Sequence, residues 1–269
     1  PEQSTFINYW FRHIWEFSIP IYPAIILTSA VLSVPLYSVV KTLSPMTALT
    51  VALGAILSYA ILKRAPKVKG KLDKGIAFNL LRASWPILVL IPLVLSGLDA
   101  MIAFPVTLAV LAGQQRVKWP EAKKALQYGL SPSILFLLYA IMIYKEAIER
   151  SGAAGVLISD MSALGLPAPV MLAALPLLIG LATGFSTAFV GVTLPLLAPY
   201  IGSGSDINGY ALLLAYVSGM MGLLLSPLHL CLILSAEYFQ ANLARMYRYI
   251  LPLAAGAEGL VILIYCIVG

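Results

Sequence analysis

Thr183, Gly184, Ser186, Thr187 and Thr193 crowd the middle of residues 168–200, a stretch otherwise apolar enough to lie in a bilayer. Irregular, hydroxyl-rich main chain facing hydrocarbon is costly and is tolerated at membrane depth only where protein or a polar cavity shelters it. The stretch therefore predicts a re-entrant helical hairpin with a tip that touches something polar. Hydroxyls there can donate and accept, and Gly184 and Gly191 permit close backbone approach. Two half-helices meeting at a tip would also turn a positive dipole end toward a carboxylate or other anion. The alternative is a set of small residues at a tight helix crossing.

A second interruption, Ser226-Pro227-Leu228-His229, divides the apolar segment 209–240. Pro227 removes a backbone donor and frees carbonyls in mid-segment. Those carbonyls and Ser226 could ligate Na+, and His229 could bind a solute or carry a proton. The alternative is a proline kink with a satisfied histidine. Asp99 and Glu258 are acids within apolar stretches, which makes them candidates for ion coupling. Asp99 would sit at an interface instead if residues 85–113 form two short helices.

The elements that must hold these residues are helical and membrane-spanning. Of the 269 residues 61% are hydrophobic and 10% charged, which excludes an ordinary soluble domain. Strand-like alternation in short segments is absent, which argues against an outer-membrane barrel. The expected fold is an all-α membrane protein of about seven spanning segments plus the hairpin and the broken helix. Spans are expected near 17–40, 45–62, 85–113, 129–147 and 249–268, with the hairpin at 168–200 and the broken helix at 209–240. Residues 85–113 cross once as a tilted helix or break near 96–99. Residues 3–16 read as an interfacial aromatic turn, and 152–166 as an amphipathic connector.

The net charge of +6 fits basic loops rather than nucleic-acid binding. Basic residues divide ten against seven between the two sides if 85–113 crosses once, which puts the Lys-rich loop after Lys63 in the cytoplasm. Cys231 and Cys266 lack metal-ligand spacing, so no metal is expected. Catalytic motifs are missing: there is no His-Glu-x-x-His, the run from Gly184 to Ala188 lacks the second glycine of a nucleophile elbow, and Ser186 would need His13 or His229 as a base. An enzyme is therefore not expected.

Residues 8–28 and 242–262 share an Asn, an aromatic-basic turn and a proline at the membrane entry, Pro20 and Pro252. With a single crossing at 85–113 the spans that follow run in opposite directions, the pattern of a partial inverted repeat. Residues 1–44 would then be the interfacial helix and last span of a first repeat, and 45–269 the second repeat. Pro rather than Met stands first, and the expectation is that an N-terminal segment carrying the first hairpin is missing.

Asn-Tyr-Trp-Phe-Arg-His-Ile-Trp-Glu at 8–16, Gly-Phe-Ser-Thr-Ala-Phe-Val-Gly-Val-Thr-Leu-Pro-Leu at 184–196 and Ser-Pro-Leu-His-Leu-Cys at 226–231 occur in that order. Together they resemble a prokaryotic membrane family, a domain of unknown function. That family is grouped with the ion-transporter superfamily of gluconate, C4-dicarboxylate, citrate and divalent-anion/sodium carriers. The resemblance covers essentially the whole chain and implies two inverted repeats with elevator-like alternating access. Ser186 and Thr187 fall where divalent-anion carriers have Ser-Asn-Thr, and this chain has Ser-Thr-Ala. The superfamily orientation would place the Lys-rich loop outside, against the charge count.

The expected function is a secondary transporter, or the C-terminal part of one, moving a small solute such as an organic anion. It would sit in the cytoplasmic membrane of a prokaryote as a multi-pass protein among membrane lipid. No cofactor is expected beyond Na+ or H+ as coupling ion. The expected substrate-binding residues are Thr183, Gly184, Ser186, Thr187, Thr193, Ser226, Pro227 and His229. An ion channel or a non-transporting structural subunit is the alternative, and a homodimer stays open.

Overall fold

The computed structural model describes residues 1–63 and 74–269. The Lys-rich loop falls on residues 64–73, outside the described residues, apart from its flanks. The chain divides into two compact units, Pro1–Arg64 with Tyr144–Gly269, and Ala65–Ile143. The proposed repeat boundary at 44/45 falls inside a helix.

The first unit opens with α1, Glu2–His13. Its buried residues, Thr5, Phe6, Tyr9, Trp10 and His13, recur at helical spacing and make one inward stripe. A 3₁₀ turn, Ile14–Phe17, follows, and then α2, Pro23–Leu32, with its proline in the first turn. Ser33 stops α2 in the left-handed region (φ 54°), and Pro35 caps the next helix, α3, Leu36–Leu62. The expected first span, 17–40, is thus corrected to a ten-residue helix between two breaks. The expected second span, 45–62, is lengthened, because α3 carries Pro45 inside it. Both outcomes follow from Pro lacking an N–H: it cannot continue a helix from which it would need to donate, yet it can lie within one whose neighbours support the bend.

The second unit contains α4, Lys74–Leu95, α5, Ala100–Gln114, and α6, Trp119–Gly129. The stretch 85–113 takes the broken form. Gly97 turns the chain at positive φ, and Asp99 caps α5 by accepting from the Met101 N–H at 2.8 Å. Capping accounts for Asp99, which is the structural alternative to its coupling role.

Helix α7, Pro132–Ser151, leads back into the first unit. The expected connector is helix α8, Ala153–Ala163, which bends by 118° into α9, Ala168–Thr183. Helix α10, Ser186–Ile201, packs against both α9 and α2. A two-residue β-pair, 202–203 with 206–207, connects it to α11, Gly209–Leu225, whose cap Asn208 accepts from the N–H groups of Tyr210 and Ala211. Helices α12, Leu230–Tyr238, and α13, Leu243–Val268, complete the unit.

Helix α11 is its axis. Every residue from Ala211 to Leu224 is buried, and α9 and α13 are its main neighbours. Helices α9 and α11 approach at backbone distance through Gly180, Gly219 and Gly222. A methyl group added at Gly180 would lie 2.3 Å from the Gly219 carbonyl oxygen. The Phe189 ring from α10 lies over Gly219 and meets Tyr216 edge-on at 5.5 Å.

Among the described residues, four helices are long and apolar enough to cross a membrane: Leu36–Leu62, Phe78–Leu95, Gly209–Tyr238 and Leu243–Val268. The bent α8–α9 pair would make a fifth. Residues such as Ile56, Phe78, Leu108 and Phe136 are exposed, as lipid-facing side chains would be. Residues 8–28 form helix, 3₁₀ turn and helix, whereas Asn242 caps, and 243–262 lie within, the single helix α13, so the two matching segments differ in local structure.

Candidate functional site at the crossing of two interrupted helices

Two interruptions meet in the first unit. Gly184 ends α9 in the left-handed region (φ 67°) while its N–H bonds to the Gly180 carbonyl at 2.8 Å. Phe185 then opens α10 in extended conformation. Some forty residues later, α11 stops at Ser226 and α12 starts after His229. The Ser226 hydroxyl accepts from the Leu228 N–H at 3.2 Å and tightens the turn. A Cβ at Gly184 would lie 2.9 Å from the His229 backbone nitrogen, so only glycine lets the two turns touch at this distance.

His229 joins the interruptions. Its Nδ1 lies 2.7 Å from the Gly184 carbonyl oxygen, and its Nε2 lies 3.0 Å from Nε2 of His13. The His13 Nδ1 in turn lies 2.7 Å from the Tyr9 carbonyl. Both histidines are buried, and the Cys231 thiol completes a group of donor atoms all within 4.8 Å of one another, a set able to hold a metal ion. Burial, chiefly, holds His13 down to about 4, with His229 and Arg12 acting in the same direction and the Tyr9 carbonyl opposing. His13 is therefore neutral near pH 7.

The carbonyls freed by Pro227 have partners. Tyr9 donates its hydroxyl to the Leu224 carbonyl at 3.0 Å, and Tyr247 donates to that of Leu225 at 3.1 Å. They are thus less available to Na+ than Pro227 alone would suggest. Pro227 itself is exposed.

The hairpin hydroxyls divide. Thr183 and Thr193 donate back to the carbonyls of Ile179 and Phe189, at 2.7 and 2.6 Å, so each is engaged within its own helix. Ser186, half-buried at the start of α10, hydrogen-bonds the Glu16 side chain, and Thr187 is half-buried beside it. Gly191 is buried along α10. Glu16 is only 8% exposed; burial raises its carboxyl to about 7, against the lowering effect of Ser186. The titratable groups around it are the phenols of Tyr9, Tyr22 and Tyr216, and Tyr216 donates to the Glu16 backbone carbonyl at 3.2 Å.

Glu258 lies apart from the crossing, on α13. Its Oε1 accepts from the Ser218 hydroxyl of α11 at 2.6 Å, and its Oε2 is buried without a partner. An open cleft of about 490 Å³ lies between α1 and α12, lined by Asn8, Arg12, Ser235 and Glu237 among others. Arg12 adjoins His13 in sequence, and Ser235 lies one helical turn beyond Cys231.

The structure brings together Gly184, Ser186, Ser226 and His229 from the expected set. It adds His13, Glu16, Tyr9, Tyr247 and Cys231. The first three belong to the aromatic turn, whose composition reads as a membrane anchor. The usable signal was a buried-face histidine and a glutamate at the end of an otherwise aromatic stripe.

Comparison with curated proteins and with solved structures finds no match to this chain. A family profile described as a protein of unknown function (DUF401) matches residues 1–268, and the chain, with its crossing of two interrupted helices, belongs to that family.

Proposed function

We propose that this chain is a secondary carrier, or the C-terminal part of one, that moves a small organic anion across a prokaryotic cytoplasmic membrane by alternating access. The observation that carries the proposal is the contact of two helix interruptions within an apolar bundle, with His229 bonded to Gly184 at 2.7 Å. Paired interruptions of this kind leave polar main chain and helix ends where a solute can meet them. The proposed link to the ion-transporter superfamily stands with this proposal, supported by the three ordered motifs.

Ser186 and the first turn of α10 bind the anion. Glu16 occupies that position in the empty carrier and moves aside, or becomes neutral, when a solute carboxylate arrives. This assigns H+ as the coupling ion and Glu16 as its carrier, because the Leu224 and Leu225 carbonyls already accept tyrosine hydroxyls. Motion of the hairpin with α11 and α12 then exposes the site to either side.

The test is uptake into proteoliposomes of the solute that co-purifies with the protein, identified by mass spectrometry. Ser186→Ala and His229→Ala are expected to lose uptake while remaining folded. Wild-type uptake by both removes those positions from the site, and single-channel currents would replace the carrier with a channel. A stable protein partner without any solute flux would support the structural-subunit alternative.

A pH experiment tests Glu16. Its carboxyl titrates near 7 in the folded chain against an ordinary 4.5. The folded state therefore holds the proton more tightly, and stability from this group is present below about pH 4.5 and lost as pH rises through 7. The melting temperature is expected to fall between pH 5 and pH 8, and Glu16→Gln is expected to flatten that slope. An unchanged slope in Glu16→Gln would show that the group does not titrate there.

A further inference from the structure

We propose that His13, His229 and Cys231 form a binding site for a single borderline or soft transition-metal ion of the Zn2+ class. The inference concerns the crossing itself and stands independently of the carrier function.

Hydrogen-bond direction leads to it. A carbonyl oxygen only accepts, so Nδ1 of His229 must donate to Gly184 and Nδ1 of His13 must donate to Tyr9. A neutral imidazole has one N–H, and each ring has spent it on main chain. Two bare Nε2 lone pairs therefore face each other at 3.0 Å inside the protein. That arrangement is repulsive unless an electrophile lies between or beside them.

A metal ion would draw the three donors together. Backbone carbonyls holding the distal N–H are the usual outer support of metal-bound histidine, fixing tautomer and ring orientation. Cys231 stands on the first turn of α12, close to His229 in sequence, with its sulfur inside the same 4.8 Å group. An ion about 2.05 Å from each nitrogen would subtend about 95° at the present spacing; the tetrahedral angle requires the nitrogens to part by about 0.35 Å and the Cys231 sulfur to come within about 3.6 Å of each. The mixed nitrogen and thiolate set selects Zn2+, Co2+ or Cu+ over Mg2+ and Ca2+. On binding, the Cys231 thiol releases its proton to solvent and both imidazoles stay neutral. Three protein ligands leave a fourth position for water or an anionic oxygen.

The sequence conceals this site because its histidines lie 216 residues apart. Neither histidine alone, nor the lone Cys231, has metal-ligand spacing.

The experiment uses the whole purified chain in detergent, stripped with chelator and titrated with Co2+. One equivalent is expected to bind, with a thiolate-to-cobalt charge-transfer band and intense visible bands of a four-coordinate ion. Zn2+ should displace it. Cys231→Ser should lose the charge-transfer band, and Cys266→Ser should keep it. His13→Gln and His229→Gln should weaken binding at least tenfold. Should these variants fail to fold, the wild type still decides: Zn2+ should raise its melting temperature, and chelator should reverse the shift. No charge-transfer band, a band surviving Cys231→Ser, or a proton shared between the rings in ¹⁵N-histidine spectra that excess Zn2+ fails to displace would each overturn the proposal. Cobalt binding without solute flux would overturn the carrier alone, and flux without cobalt binding would overturn the metal site alone.

Discussion

Gly222→Leu is expected to yield no folded protein. A Cβ at position 222 would lie 2.1 Å from the Leu177 carbonyl oxygen and 2.9 Å from its carbon, both backbone atoms of α9. Neither can yield without parting α9 from α11. Intrinsic preference runs the other way, since replacing a mid-helix glycine favours the helix by up to about 1 kcal/mol. Overpacking a core typically costs about 1–3 kcal/mol, and more where the obstructing atoms are backbone that cannot move aside, so the seam decides. That loss is a large share of a typical stability of about 5–15 kcal/mol. Fluorescence-detected size-exclusion chromatography of the detergent extract reads the outcome. Gly256→Leu and Gly259→Leu on α13 are the controls, because the space around both glycines is open. A Gly222→Leu protein that elutes and melts like wild type would show that the helices are not in backbone contact.

Gly184→Val should fold and yet lose the site. Position 184 adopts φ 67°, which a β-branched residue reaches only with strain of about 2 kcal/mol. The added Cβ would also press the His229 backbone at 2.9–3.0 Å. The tip sits at the junction of α9 and α10, so it can lift from α12 without opening the glycine seam. The His229 bond to the Gly184 carbonyl breaks, and Cys231 on the adjoining turn becomes more accessible. Maleimide labelling of Cys231, in a Cys266→Ser background, should accelerate several-fold while the elution volume stays that of wild type. Gly184→Ala should show a smaller change of the same sign. Unchanged labelling in Gly184→Val would mean that the tip does not cover this turn.

The boundaries of the interrupted elements were legible because punctuation there is local. Gly184 and Pro227 act through their own backbone torsions or missing N–H groups, and the observed α9, α10, α11 and α12 begin or end beside them. Prolines elsewhere were ambiguous. Pro35 stands at the start of α3 while Pro45 lies inside it, and only the packing of neighbouring helices distinguishes them. The site was legible in part for the same reason. Ser186 and His229 announce themselves by sitting at breaks, but the partners that define their chemistry arrive from the far end of the chain. His13 contacts His229 across the whole fold, and Glu16 reaches Ser186 from a 3₁₀ turn. The charged and aromatic pattern of residues 8–16 suits an interface anchor equally well, so composition could not reveal that this stripe supplies the wall of the crossing.

The enclosure of α11 constrains how the protein is made. Ala211–Leu224 is apolar enough to partition into lipid as it emerges, yet the finished bundle leaves it no lipid neighbour. Helix α9 is synthesised before it and α13 after it, so α11 must wait in the bilayer until the C-terminal helix arrives. Nascent chains arrested before Leu243 should therefore carry α11 in contact with lipid and be degraded faster than the full-length chain. Enclosure of α11 would then be completed only when α13 packs against it.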